Sequence, residues 1–516
     1  MKPYLKNNLL FLIIALSFLS CTKNFDNINT DPSSLTSVGK LEFGYMFSRA
    51  QSGACMNQGY YQTVQNLYAD LYAQYFALNT TSFQTDRYVM NDGWLPRLGV
   101  VTYVFTVPQL KTIIDNSDST SGEAALANIM WVYAFHHLTD YFGPVAYFQA
   151  GEPIASIPYD SQESIYLDFF KRLDAATTIL KNSGKTNVFG TSDIIFGGNV
   201  ANWIAFANTL RLRLALRISK VLPDVAKQQA EAAVAGGVMT DVPQSAWIQK
   251  TLNGSDGNGL TRIASFHEFS MSSTMASYLK GYSDPRLPVY FQPTITDGQF
   301  RSIRNGTPAA DLTKPTNSGA NTSNVGAYWV QWNGSAWVPN LTVKQPVMYA
   351  AEAYFLRAEG ALNGWNMGGT AQELYEQGIT TSLKEWKITD AAVVSNYIQS
   401  SAVPAAPDDF VNSPAVSDAP VKWSSTESVE REQIGIQKWL ATYPDGIEGW
   451  ASFRRSGYPK MYPVVESGNA DLPQGTFIQR LPYASSEATT NAAELAKGVQ
   501  LLGGPDKVST PLWWAK

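Results

Sequence analysis

Glu352 and Glu359 are the acids whose spacing most invites a chemical reading. Seven residues apart on a helix, they lie within roughly 20° of one face and about 10.5 Å along its axis. Paired carboxylates are the machinery of glycoside hydrolysis. The other reading is structural. Acids on a mostly apolar helix are buried and need partners, either backbone groups or cations such as Arg454 or Arg455. No cleft is evident beside such a helix, so the two read as structural acids and no enzyme is expected. His136, His137 and Asp140 form a second polar group, with His136 and Asp140 on one helix face. Two ligands are too few for zinc, so these read as a satisfied structural pair, and no metal or other cofactor is expected. No G-x-S-x-G, Walker loop or C-x-x-C occurs.

A third constellation is aromatic. Tyr328-Trp-Val-Gln-Trp-Asn-Gly-Ser-Ala-Trp337 reads as a β-hairpin, with Asn333-Gly334 as a two-residue type I′ turn. That turn pairs Trp332 with Ser335 and Val330 with Trp337. Side chains alternate along a strand, so Tyr328, Val330, Trp332 and Trp337 fall on one face, with Trp329 and Gln331 on the other. Sugar rings carry apolar C–H faces that lie flat on aromatic rings, and such a face suits a ligand. The same rings would equally serve to pack the hairpin onto helices. Phe83, Tyr88 and Trp94, in a polar loop at 79–94, form a second wall if that loop lies nearby.

Helices must position these groups. Val347–Asn363 is apolar almost all round, broken only by Glu352, Arg357 and Glu359, and predicts a buried helix. Gly368-Gly369-Thr370 turns the chain. Ala371, Leu374, Tyr375, Gly378, Ile379, Leu383 and Trp386 then mark one face of a second helix. A buried helix, a glycine turn and an amphipathic helix make a tetratricopeptide-like hairpin, which needs stacked neighbours. Similar patterns predict helices over Val64–Phe76, Leu95–Asp115, Glu123–Thr139, Gln162–Leu180, Val200–Val221 and Met271–Tyr282. Arg213 and Arg217 share a face by i, i+4 spacing. Between Leu287 and Asn340, Thr, Gly, Asn and Pro dominate, with aromatics interleaved.

The chain has 516 residues, a net charge of −5, two cysteines and three histidines. That charge gives no basic stripe for nucleic acid, and two cysteines give no disulfide framework. Lys2 and Lys6 precede an apolar run, Leu9–Leu19, too short to span a membrane comfortably. It ends at Phe18-Leu-Ser-Cys21, which resembles the lipobox of bacterial lipoproteins, although that pattern prefers Leu where Phe18 stands. Cys21 is then the lipidated residue, and Cys55 is left as a buried free thiol.

Several segments follow one another in an order that resembles a known family. They are His137-Leu-Thr-Asp-Tyr-Phe-Gly-Pro144, Ala207-Asn-Thr-Leu-Arg-Leu-Arg-Leu-Ala-Leu-Arg217, Asp284-Pro-Arg-Leu287 and Ala351-Glu-Ala-Tyr-Phe-Leu-Arg-Ala-Glu359 followed by Gly364-Trp365. Further on come Gln437-Lys-Trp439, Glu448-Gly-Trp450, Arg454-Arg-Ser-Gly-Tyr-Pro459 and Leu512-Trp-Trp514. From Cys21 to the C-terminus the chain resembles the SusD/RagB nutrient-binding lipoproteins. The resemblance implies a mostly α fold, an α–α superhelix of tetratricopeptide-like pairs with a loop-rich lobe of short β-hairpins. It implies a SusC-like TonB-dependent transporter as partner, a glycan or other small nutrient as ligand, and a lipid-anchored place on the outer membrane, facing the exterior. The expected organisation is a signal peptide (1–20), an anchor and tether (21–45), a first helical part (46–286), a ligand-binding lobe (287–340) and a second helical part (341–516). A surface glycoside hydrolase, a structural lid of the transporter and a peptide-binding homologue stand as alternatives.

Overall fold

The computed structural model describes residues 39–516. The signal peptide, Cys21 and the tether as far as residue 38 lie outside the described residues. The chain divides into two units, 1–43 and 44–516. The second unit holds the superhelix and its loops.

The fold is an α–α superhelix with small strand pairs. Its main helices are α1 (Lys40–Ala54), α2 (Val107–Asn116), α3 (Gly122–Phe142), α4 (Gln162–Asn182), α5 (Val200–Arg217), α6 (Pro223–Gly236) and α7 (Ser273–Gly281). After the loop-rich stretch come α8 (Ala350–Leu362), α9 (Ala371–Glu385), α10 (Ala391–Ile398), α11 (Glu427–Thr442) and α12 (Gly446–Ser456). Neighbours in sequence pack as pairs: α3 on α4, α5 on α6, α8 on α9. The α8–α9 pair shows why. Thr370 caps α9 in a capping box with Glu373. At Gly378 an added Cβ would sit 2.7 Å from the Phe355 ring, so only glycine lets the two helices approach this closely.

The helix expected from Val347 starts instead at Ala350, because Gln345–Met348 forms β6, paired antiparallel with β2 (Ala246–Ile248). The ladder takes those backbone groups before the helix can, and Ser245 Oγ accepts the Ala350 N–H at 2.8 Å. The helix expected over Val64–Phe76 breaks before its end. Residues Gln62–Asp70 are π-helical, Gln74 takes φ 53°, and Phe76–Leu78 is β1, paired with β3 (Phe269–Met271). Met271 therefore ends a strand, and α7 begins beyond its Ser272 cap. A second π-helix, Val100–Thr106, leads into α2.

Five helices meet at a buried ionic network. Arg213 (α5) grips Glu352 (α8) with two bonds, Nε–Oε1 at 2.8 Å and Nη2–Oε2 at 2.5 Å. Arg217, one turn along α5, donates to Glu448 of α12. Lys438 (α11) reaches Glu448 Oε1 at 2.7 Å and lies 3.8 Å from Glu352. Asp140 (α3) accepts from Tyr166 Oη at 2.5 Å and Trp514 Nε1 at 2.9 Å, with Arg217 Nε 3.6 Å away. Arg454 (α12) donates to the Asp140 and Gln479 carbonyls, both at 2.8 Å, over the Trp450 ring. All of these charged residues are buried. Burial alone would raise the Glu448 carboxyl, but Arg217, Lys438 and Arg213 outweigh it and hold it well below the carboxylate range. Burial pushes the Arg454 guanidinium down to about 9.

Glu359 pairs with Arg455 at 2.5 and 2.7 Å, as expected, while Glu352 takes Arg213 rather than Arg454 or Arg455. The histidine reading needs correction. Asp140 turns to Tyr166, Trp514 and Arg217, and the His136 and His137 rings lie tilted against each other, centroids 4.1 Å apart. His136 Nε2 lies 3.4 Å from Arg213 Nη1, but neither ring nitrogen of His137 bonds to a protein group. Burial first, then nearby Arg213, pushes His137 down to about 3, so the ring is neutral. Cys55 is a buried free thiol, pushed up to about 12 by burial.

Removing one partner from a buried ion pair strands the other charge without water, at a cost of about 3–5 kcal/mol. Glu352→Ala should lower unfolding stability by about that amount. Urea unfolding followed by far-UV circular dichroism measures it.

Candidate functional site

The aromatic hairpin is present, in a different register. β4 (Val330–Trp332) pairs antiparallel with β5 (Trp337–Pro339), so that Trp332 faces Trp337 and Gln331 faces Val338. The connection has four residues, not two. Asn333 Oδ1 accepts from the Ser335 and Ala336 N–H groups at 3.0 and 2.9 Å, and the Asn333 N–H donates to the Ala336 carbonyl at 3.1 Å. A type I′ turn needs positive φ at both central residues. Here only Gly334 takes it, at 99°, and the Asn333 side chain closes the loop instead.

Direct opposition puts Trp332 and Trp337 on one face with ring centroids 5.5 Å apart. Exposure grades along that face. Val330 is fully buried, Trp337 is 9% exposed, and Trp332, beside the loop, is 38% exposed. Tyr328 does not join them. It precedes the strand, is half-buried, sets its ring against Trp329 and Trp386, and donates its hydroxyl to the Lys344 carbonyl at 3.1 Å. Trp329, on the other face, is a core residue against Trp386 and Tyr443.

Trp337 is held from behind. Its Nε1–H donates to His267 Nδ1 at 3.0 Å, and His267 Nε2 lies 3.2 Å from Ser270 Oγ. Burial pushes His267 down to about 4, so at neutral pH the ring is neutral, Nδ1 accepts and Nε2–H donates. Ser270 Oγ also accepts from Asn79 Nδ2 at 2.8 Å. Asn79 opens the 79–94 loop, so two side chains, His267 and Ser270, tie that loop's start to the hairpin. Nothing in the sequence marks His267. It sits at φ 52° beside β3, and the fold brings it to Trp337 across 70 residues.

The loop's aromatics divide. Phe83 and Trp94 are half-buried and meet edge to face at 5.8 Å. Tyr88 is a core residue, 3% exposed and packed on Tyr72. It closes the short 3-10 turn Thr85–Arg87 in the left-handed conformation, φ 63°, which turns its ring inward. Beneath the loop, Asp86 accepts from the Leu78 N–H at 3.1 Å and from Asn305 Nδ2 at 2.8 Å. Among the described residues, no group of three or more His, Cys, Asp or Glu gathers as metal ligands, and no helix is long and apolar enough to cross a membrane.

A family model described as "Susd and RagB outer membrane lipoprotein", SusD-like, matches residues 24–515. The chain belongs to the SusD-like family. A search of curated proteins found no match. Solved SusD-like structures align over nearly the whole chain. A chitin-binding SusD homologue from Flavobacterium johnsoniae is 34% identical, covering 92% of this chain and 98% of its own, with a TM-score of 0.83. A SusD-like protein from Bacteroides thetaiotaomicron is 32% identical over 92% and 98% of the two chains, also at 0.83. A chitin-binding protein is 27% identical over 92% and 100%, at 0.75.

The graded burial separates the two hairpin tryptophans. Trp332→Ala should leave the melting temperature within about 1–2 °C of the parent, a surface change of under about 0.5 kcal/mol. Trp337→Ala should lower it clearly, since a large buried ring and its hydrogen bond are lost. Differential scanning calorimetry of both variants checks this.

Proposed function

We propose that this SusD-like lipoprotein binds an oligosaccharide at the Trp332–Trp337 face and delivers it to a SusC-like TonB-dependent transporter. The observation that carries this reading is the Trp332 ring. It is large, apolar, 38% exposed, and set against Trp337, which is held in place by its hydrogen bond to His267. An immobilised ring gives a sugar's C–H face a surface without an ordering cost at the moment of binding. Asn333, exposed next to Trp332, carries an amide Nδ2 that can donate to a nearby hydroxyl. Phe83 and Trp94 form a second aromatic surface on the loop that Asn79 ties to the same region.

The sugar class to test first is N-acetylglucosamine oligomers, because two of the similar solved structures are of chitin-binding proteins. Binding without turnover is favoured because Glu359 is engaged by Arg455 and Glu352 is sealed in the buried network. Membership of the family supports a SusC-like partner and an exterior-facing location, and the lipobox-like segment supports Cys21 as the acylated residue that would hold the protein to the membrane. Two or three acyl chains give stable anchoring where one does not.

Isothermal titration with chitohexaose should give saturable binding and no released monosaccharide. Trp332→Ala should weaken it about tenfold or more, ~1.4 kcal/mol. Unchanged affinity in that variant would move the site away from the hairpin, and turnover would make the protein an enzyme.

A further inference from the structure

Beside the Val100–Thr106 π-helix lies a cleft that glycan binding at the hairpin does not use. Its volume is about 570 Å³, within the range of small-molecule sites. One wall is the π-helix itself, which presents Val100, Tyr103 and Val104; the facing wall is the 151–159 segment with Ile154 and Tyr159. π-helical turns are frequent at functional sites. Val104 and Ile154 leave large apolar side chains in solvent on its lip, 56% and 45% exposed.

The polar groups of this cleft are few and of one sign. The tyrosine hydroxyls are already spent: Tyr103 on the Ala146 carbonyl at 2.7 Å, Tyr483 on the Pro144 carbonyl at 2.6 Å, Tyr159 on Glu487 Oε2 at 2.7 Å. Each of these rings lines the cleft, and its hydroxyl is already committed as a donor. The Glu487 carboxylate is half-buried and has no Lys, Arg or His ion-paired with it among the described residues. The nearby cation Lys111 is already taken, by Asp115 at 2.9 Å and Glu152 at 2.8 Å. Asp160, the other acid close by, is held by the Tyr147 and Phe148 N–H groups.

We infer that this cleft is a binding site for an organic ammonium ion, a primary amine carried on an apolar or aromatic body. The body fills the aliphatic and tyrosine walls, where a cation also gains from the ring faces. The ammonium reaches Glu487, whose carboxylate supplies the one charge-assisted acceptor in the cleft. An anion would be repelled by Glu487, and a neutral apolar molecule would leave that charge uncompensated.

The test compares three probes of similar shape by isothermal titration: phenethylammonium, 2-phenylethanol and 3-phenylpropionate. Phenethylammonium should bind at least about fivefold more tightly than the alcohol, and the propionate should not bind. Glu487→Gln, in the short helix Ser485–Thr490 and still able to accept from Tyr159, should fold normally by circular dichroism and erase the preference for the ammonium. Trp332→Ala should leave it intact, which separates this site from the glycan face. Equal binding of all three probes, binding of none, or a preference that survives Glu487→Gln would overturn the inference. So would its loss in Trp332→Ala.

Discussion

The charges that Arg213, Arg217, Lys438 and Arg454 bring into the core must all be answered there, and that requirement governs the scaffold. Water is excluded, so each guanidinium and carboxylate must find its partner in the protein or cost several kcal/mol. The partners come from α3, α5, α8, α11 and α12, and Arg454 meets Asp140 across 314 residues. A register shift in any one helix would strand a charge. By that geometry the network is compatible with one packing of these helices, whatever its net contribution to stability. The stacking of Arg454 on Trp450 and Trp514 extends the same device to the C-terminal end of the chain.

A scaffold locked in this way lets loops carry the variable chemistry. Two kinds of aromatic surface result. At the hairpin, the Trp332 ring stands in solvent and is backed by Trp337, whose Nε1–H donates to His267. At the π-helix cleft, the tyrosine hydroxyls are already bonded, Tyr159 to Glu487 itself, and that carboxylate is the charged group of the lining. The first suits a neutral polyol and the second a cation, so the two sites would not compete.

Much of the scaffold was legible in the sequence because helical faces repeat locally. Glu352 and Glu359, and Arg213 and Arg217, read correctly as residues sharing a face. Their partners did not, since nothing in spacing says that position 213 meets position 352. The hairpin strands were visible in alternation and in Asn333-Gly334, but the register was not. It depended on whether the backbone or the Asn333 side chain closed the loop. Tyr88 looked like its neighbours Phe83 and Trp94 until one left-handed φ turned it inward. His267 carried no signal at all, because its role is defined wholly by a tertiary contact.

A rigid, ion-locked scaffold that presents a loop-borne sugar face has two halves, and one measurement tests both. Hydrogen–deuterium exchange with and without chitohexaose should show slowest exchange in Val200–Arg217 and Ala350–Leu362, with ligand protection confined to residues 79–94 and 328–340. Fast exchange in those helices, or ligand protection that spares the hairpin, would contradict it.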